Sequence, residues 1–375
     1  VAKRKPDQIV VESAGTAFDG FESLEITNDI TGPSEARLVI GDDGAWEELE
    51  QKVKPGTEWK VKLNNRLRLT GRAEVNEIPS DPDSGTLVQL TVRTKRTDAM
   101  VRSAEPVTVQ NTTIKAFILA LYGQLGYGEA DFVFGEFADV ELMTGKSGAG
   151  KANVDNLASI TVEQAKVQPP ETIHECAERH LKRYQATHWD GPDGKIIVGR
   201  PDDTQAPRYV LLAKRGAKSG NNVLRCQRVI DWTDVPRKVR VYGHTFGRDI
   251  TSSHFSGEAQ DDDVDAVAAA TGHFDRLVIV QDQQSKAADA AAKTAQRELS
   301  ARIRRKHAWE LETDGWSWWN GSEQVPWAPN TTVEVDVEAG GPKGTFLIVR
   351  TVLKLDLEGA ATTAITCVAP GVWQL

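Results

Sequence analysis

Alternation of apolar and charged residues at both ends of this chain most limits what it can fold into. Trp59, Val61 and Leu63 alternate with Lys60 and Lys62, and Asn64-Asn65 then offers a tight turn into Leu67 and Leu69. Near the other end, Val333, Val335 and Val337 alternate with Glu334 and Asp336. A period of two puts the apolar side chains on one face of an extended strand and the charges on the other. Leu24 and Ile26, and the run Leu87 to Val92, add strands to the first hundred residues. In the last third, strands are read at 223–232, 238–242, 276–280, 309–319, 332–337, 345–357 and 362–368. Gly, Pro, Asn and Asp bound these runs, as in half-buried antiparallel strands, and their short spacing suggests barrels or sandwiches. The expected fold class is mainly β with α+β insertions: two barrel-like strand-rich domains and a mixed helix–strand middle region.

The expected divisions are 1–105 for an N-terminal β-barrel-like tube domain, 106–222 for a mixed α/β middle domain, and 223–375 for a second barrel-like domain. A short helix is read from Trp46 to Val53. In the middle, Asn111 or Thr112 can cap a helix carrying Ile114, Phe117, Ile118, Leu121 and Leu125 on one face, with Gly126 and Gly128 ending it. A second helix starts near Pro169-Pro170 with the stripe Ile173, Ala177, Leu181 and Tyr184, and Asp193-Gly194 turns the chain into a strand, 195–198. The acidic, Ala-rich segment 257–270 reads as a flexible loop. A long helix at about 285–305 carries Ala288, Ala292, Ala295, Leu299 and Ile303, small side chains that allow close packing.

Of the 375 residues, 39% are hydrophobic and 26% charged, ordinary globular usage. No apolar run approaches the roughly 18 residues of a membrane helix, and no apolar stretch follows the basic start to make a secretory signal. Stable membrane association is not expected. Cys176, Cys226 and Cys367 are odd in number and widely spaced, which suits reduced core thiols rather than a disulfide framework or a zinc site. A net charge of −9 argues against a nucleic-acid binder.

Three motifs suggest chemistry. Gly145-Lys146-Ser147-Gly148-Ala149-Gly150-Lys151 matches part of a phosphate-binding loop, but Ala152 stands where the Mg²⁺-binding hydroxyl belongs, and the flanks lack a buried strand and an apolar helix. The segment reads as a Gly-rich loop, with an NTPase using Gly145 to Lys151 as an alternative. His174-Glu175-Cys176-Ala177-Glu178-Arg179-His180 departs from the zincin H-E-x-x-H, since Glu178 stands at the second histidine. A His174/Glu178 metal pair lacks a third ligand in the sequence. Trp309, Trp316, Trp318, Trp319 and Trp327 can fill a core, anchor an interface or stack on sugars. A glycan-binding or glycan-cleaving tail component using the cluster Trp316 to Trp327 is the second alternative. No catalytic residue, cofactor or metal is assigned.

The segment Trp316-Ser317-Trp318-Trp319-Asn320-Gly321, then Val325-Pro326-Trp327-Ala328-Pro329-Asn330, then Val333-Glu334-Val335, resembles the C-terminal pattern of Mu-like tail hub and late control D proteins, the baseplate hubs of contractile phage tails. The family's L-W-x-P-N has Pro326 in place of its Leu. Phe18-Asp19-Gly20-Phe21-Glu22-Ser23-Leu24-Glu25-Ile26 resembles the family's opening, and Glu171-Thr172-Ile173 through Trp189-Asp190-Gly191-Pro192-Asp193-Gly194-Lys195-Ile196 its central helix–turn–strand. The resemblance implies a non-enzymatic homotrimer with two similar barrels per subunit. It would join a hexameric tail tube protein to a trimeric central spike protein, contact other baseplate proteins and pass DNA in transit through its channel. It further implies a virion component of the tail baseplate, assembled in the host cytoplasm. The net charge adds the expectation of an acidic or neutral lumen, with Asp42, Asp43, Glu47 and Glu48 as contributors.

Overall fold

The alternating segments are strands in the computed structural model, which describes residues 8–13, 15–18, 21–41, 56–77, 80–81, 85–135, 161–182, 186–216, 220–229, 232–246, 252–282, 288–303, 308–338, 340–356 and 360–371. The expected helix 46–53, the acidic residues 42–48, the Gly-rich run 145–151 and Tyr184 lie outside the described residues. Glu58–Leu63 buries Trp59, Val61 and Leu63 and turns Lys60 outward. It pairs antiparallel with Arg66–Glu77 through Asn64 and Asn65, whose φ angles of 53° and 59° are the left-handed pair of a tight hairpin. Thr331–Val337 likewise buries Val333, Val335 and Val337 while Glu334 is exposed.

The strands of both chain ends belong to one 14-stranded sheet. Its path runs through Val223–Val229, Ala308–Asp314, Ala361–Val368, Lys343–Leu355, Phe21–Asp29, Glu35–Gly41, Gly85–Arg93, Arg66–Glu77, Glu58–Leu63, Ile9–Ser13 and Thr16–Phe18. Thr331–Val337 branches from Lys343–Leu355 and takes Tyr209–Ala213 as a parallel neighbour. The fold is mainly β as expected, but the two ends of this path do not pair among the described residues, so the sheet is not a closed barrel. It covers two cores. One gathers Leu24, Ile26, Leu38, Trp59 and Leu90; the other gathers Tyr209, Leu211, Val333, Val335 and Ile365.

The 13-residue strand Lys343–Leu355 serves both cores, giving Phe346 and Ile348 to the second and Leu353 to the first. Its ladder with Ala361–Val368 slips between Ile348 and Arg350. One extra residue reverses the alternation, so odd-numbered Leu353 faces the same side as the even-numbered pair.

Between the two ends lies a mixed region with its own core, including Phe117, Leu121, Tyr122, Ile173 and Leu181. It contains helices α1 (Lys95–Val101), α2 (Ile114–Gly123) and α3 (Ile173–Leu181). The cap of α2 is Thr113, whose Oγ1 accepts from Ala116 N at 3.1 Å, rather than Asn111 or Thr112. Both of those residues are held in the strand Thr108–Thr113, with Asn111 at φ 50°. Helix α3 opens with a reciprocal box: Thr172 Oγ1 accepts from Glu175 N, and Glu175 Oε2 from Thr172 N.

A third unit interrupts the second β body. Val223–Val229 and Ala308–Asp314 are antiparallel neighbours, and the chain between them builds a separate sheet of Lys238–Phe246, Ser252–Gln260 and Leu277–Asp282. It also carries helices α4 (Asp262–Thr271) and α5 (Ala288–Ile303). The expected loop 257–270 is therefore corrected to a strand end and a helix. Asp261 Oδ1 caps α4 by accepting from Val264 N at 2.9 Å, three aspartates fill its first turn, and Gly272 ends it at φ 69°. Its acidity and its alanines, read as solvation, are the composition of a capped helix start and a good helix interior. Helix α5 buries Ala291, Ala295 and Leu299, while Ala288 is exposed. It lies so close to the sheet that a Cβ on Gly257 would fall 2.0 Å from Ala292 N.

Candidate functional site

The tryptophan cluster is mostly interior. Trp316 and Trp327 are each 1% exposed, Trp309 and Trp318 are partly buried, and Trp319 is 53% exposed. Trp316 belongs to the first core and Trp327 to the second, and Trp316 Nε1 donates to Lys354 O at 2.8 Å. Arg68, reaching in from the N-terminal body, donates to Trp316 O at 3.1 Å and to Trp327 O at 3.3 Å. Burial lowers its pKa to about 10. These tryptophans and Arg68 therefore fasten the two β bodies together. With Trp316 and Trp327 enclosed, Trp319 is the one largely exposed ring of the five.

A second polar constellation sits where α3 meets the strand Thr187–Asp190. His174 and Glu178 are four residues apart on α3, which places them on one face. The strand beside the helix supplies His188, which the sequence motif did not include. His174 Nδ1 lies 3.0 Å from His188 Nε2, and His188 Nδ1 lies 2.6 Å from Glu178 Oε1. Tyr122 Oη on α2 is 2.6 Å from His188 Nε2. Glu178 Oε1 also accepts from Thr187 Oγ1 at 2.7 Å and from His188 N at 3.2 Å. Donor atoms of His174, Glu178 and His188 all lie within 4.8 Å of one another.

Two further groups hold this strand. Arg96, fully buried on α1, pairs with Asp190 at 3.4 Å and donates to the carbonyls of His188 and Ile30. Asp190 Oδ2 also accepts from Ser34 N at 2.9 Å. The ion pair thus ties the mixed region to the N-terminal β body.

Burial and mutual contact shift three of these groups. Burial, with His188 adjacent, lowers the His174 pKa to about 3, so the imidazole is neutral at pH 7. Burial alone would raise the Glu178 carboxyl, but His188, His174 and Thr187 outweigh it and hold it at about 2. Tyr122 is pushed well above 10 by burial and stays protonated. Two imidazoles and one carboxylate can share protons or ligate a cation. The hydroxyl within reach of His188 Nε2 is a buried phenol, a poor nucleophile. His174, Glu178 and Thr187 line a cleft of about 500 Å³, whose opposite wall is Asp282, Thr294 and Arg297 of the inserted unit.

No protein-family model matches the sequence, and no relative is found among curated proteins. Solved structures do match. A tail protein from Neisseria meningitidis MC58 superposes over 99% of this chain and 98% of its own, at TM-score 0.75 and 16% identity. The chain has the fold of phage tail proteins. The 43 kDa tail protein of prophage MuSo2 from Shewanella oneidensis gives TM-score 0.70 at 18% identity, covering 98% of this chain and 99% of that one. The E. coli c3393 protein, described as a component of the type VI secretion system with structural similarity to the T4 tail proteins gp27 and gp5, gives TM-score 0.55 at 10% identity. It is covered over 97% of this chain and 78% of its own.

Proposed function

We propose that this chain is a structural component of a contractile phage tail, serving as the hub of its baseplate. In this reading three copies assemble around a channel. Their six β bodies meet a hexameric tail tube, and their other end seats a trimeric spike, with DNA passing through. The protein works in the virion after assembly in the host cytoplasm, through protein contacts with tube, spike and other baseplate proteins, and not as an enzyme. The observation that carries the reading is the end-to-end likeness to two tail proteins, including both β bodies, the mixed region and the inserted unit. The second reading, a glycan-handling protein, loses support because Trp316 and Trp327 are enclosed.

Light scattering on the purified protein tests the hub. The expected mass is three times the 41.1 kDa of one chain. A species of one or two chains, unchanged when the tail tube and spike proteins are co-expressed with it, overturns the trimeric adaptor.

A further inference from the structure

We propose that His174, Glu178 and His188 bind one divalent transition-metal ion of the zinc class. The donors are two imidazoles and a carboxylate, a set that suits zinc and its neighbours and disfavours calcium and magnesium, which take oxygen ligands. The fold brings them together from two elements: α3 aligns His174 with Glu178, and the adjoining strand supplies His188.

The imidazole nitrogens of His174 and His188 are 3.0 Å apart, and the full donor set spans no more than 4.8 Å. Bonds of about 2.0–2.2 Å in a tetrahedron place ligands about 3.3–3.6 Å apart, so an ion requires side-chain shifts on the order of 1 Å. A second observation points the same way. Buried His188 Nδ1 lies 2.6 Å from Glu178 Oε1, an imidazole–carboxylate contact that brings these two donors to one point. An ion takes one nitrogen of His188, and since Nε2 faces His174 while Nδ1 faces Glu178, binding also turns that ring.

The surroundings resemble the outer layer of a metal centre, which fixes ligand orientation. Thr187 Oγ1 and the His188 amide hold the Glu178 carboxylate, and Arg96 anchors the His188 carbonyl. His174 and Glu178 line the cleft, which gives the ion a route from solvent. The role is structural: the ion pins α3 to the strand beside it. The inference does not depend on trimeric assembly, so it stands or fails separately from the hub.

The test uses full-length, untagged protein stripped with EDTA, then titrated with Zn²⁺ by calorimetry and assayed for metal content. One ion per chain is expected, with a rise in the unfolding temperature. Co²⁺ is expected to give the visible bands of a nitrogen-ligated site. His174→Ala and Glu178→Gln should each weaken uptake about tenfold or more and remove those bands. His273→Ala, at an exposed histidine of the inserted unit, should change neither. Circular dichroism checks that the variants fold, and Glu178→Gln keeps the side-chain size should His174→Ala fail to do so. No uptake by the unaltered protein, or unchanged affinity in a folded His174→Ala or Glu178→Gln variant, overturns the site.

Discussion

Arg68 brings a guanidinium into the joint between the β bodies, where the hydrogen bonds it makes run to the carbonyls of Trp316 and Trp327. Arg68→Met removes the buried charge but strands two acceptors. It should destabilise by about 1–3 kcal/mol. Arg68→Ala also opens a cavity and should cost about 2–5 kcal/mol. Urea denaturation measures both, and a stabilised Arg68→Ala would show that the charge, not the bonds, dominates. At Val335, 1% exposed, an aspartate would be buried without a partner and should cost about 3–5 kcal/mol. Its exposed neighbour permits Glu334→Lys within about 0.5 kcal/mol. Equal tolerance at the two positions would contradict the register. Val335 and Glu334 were legible from alternation alone. Arg68 was not, because its partners are carbonyls 248 and 259 residues away and leave no sequence pattern. His188 escaped for a related reason: it joins His174 across a helix–strand contact, whereas motif spacing describes neighbours on one helix.

Among the elements, strands with strict alternation were readable in type and in which face is buried, since a period of two shows both. Helices were readable from an apolar stripe, as in α3, although that helix starts at Ile173 behind its cap Thr172 and not near Pro169-Pro170. Helix α4 was misread because it buries only Val264 and Ala268 and has almost no stripe. Its evidence was at the ends, in Asp261 and Gly272. The contact between α5 and its sheet depends on Gly257, where a side chain would collide with helix backbone. Gly257→Val should therefore push α5 off the sheet. Hydrogen exchange is expected to accelerate across 252–303 and to stay unchanged in Glu58–Leu63 and Thr331–Val337. Acceleration in all three would mean that the inserted unit is needed for the rest of the fold.

For the whole molecule, the sequence showed two strand-rich ends but not that they share a sheet. Pairing of Lys343–Leu355 with Phe21–Asp29 joins residues more than three hundred positions apart, and alternation says nothing of which strands become neighbours. With that shared strand and Arg68 joining them, the two β bodies are expected to unfold as a single cooperative unit. Calorimetry should show one transition for both bodies and a separate, lower one for the inserted unit, whose own core is the small cluster around Val239, Val241 and Leu299. Two separate transitions for the β bodies would contradict their coupling. The candidate site was half legible: helix spacing gave His174 and Glu178, and the fold supplied the rest.

The chain leaves the large sheet at Val229 and rejoins it at Ala308, and these residues face each other across an antiparallel ladder. Their Cα atoms are thus held about 5 Å apart whatever is threaded between them. A peptide hairpin or a foreign domain with adjacent termini can be spliced in place of the native unit without stretching either strand.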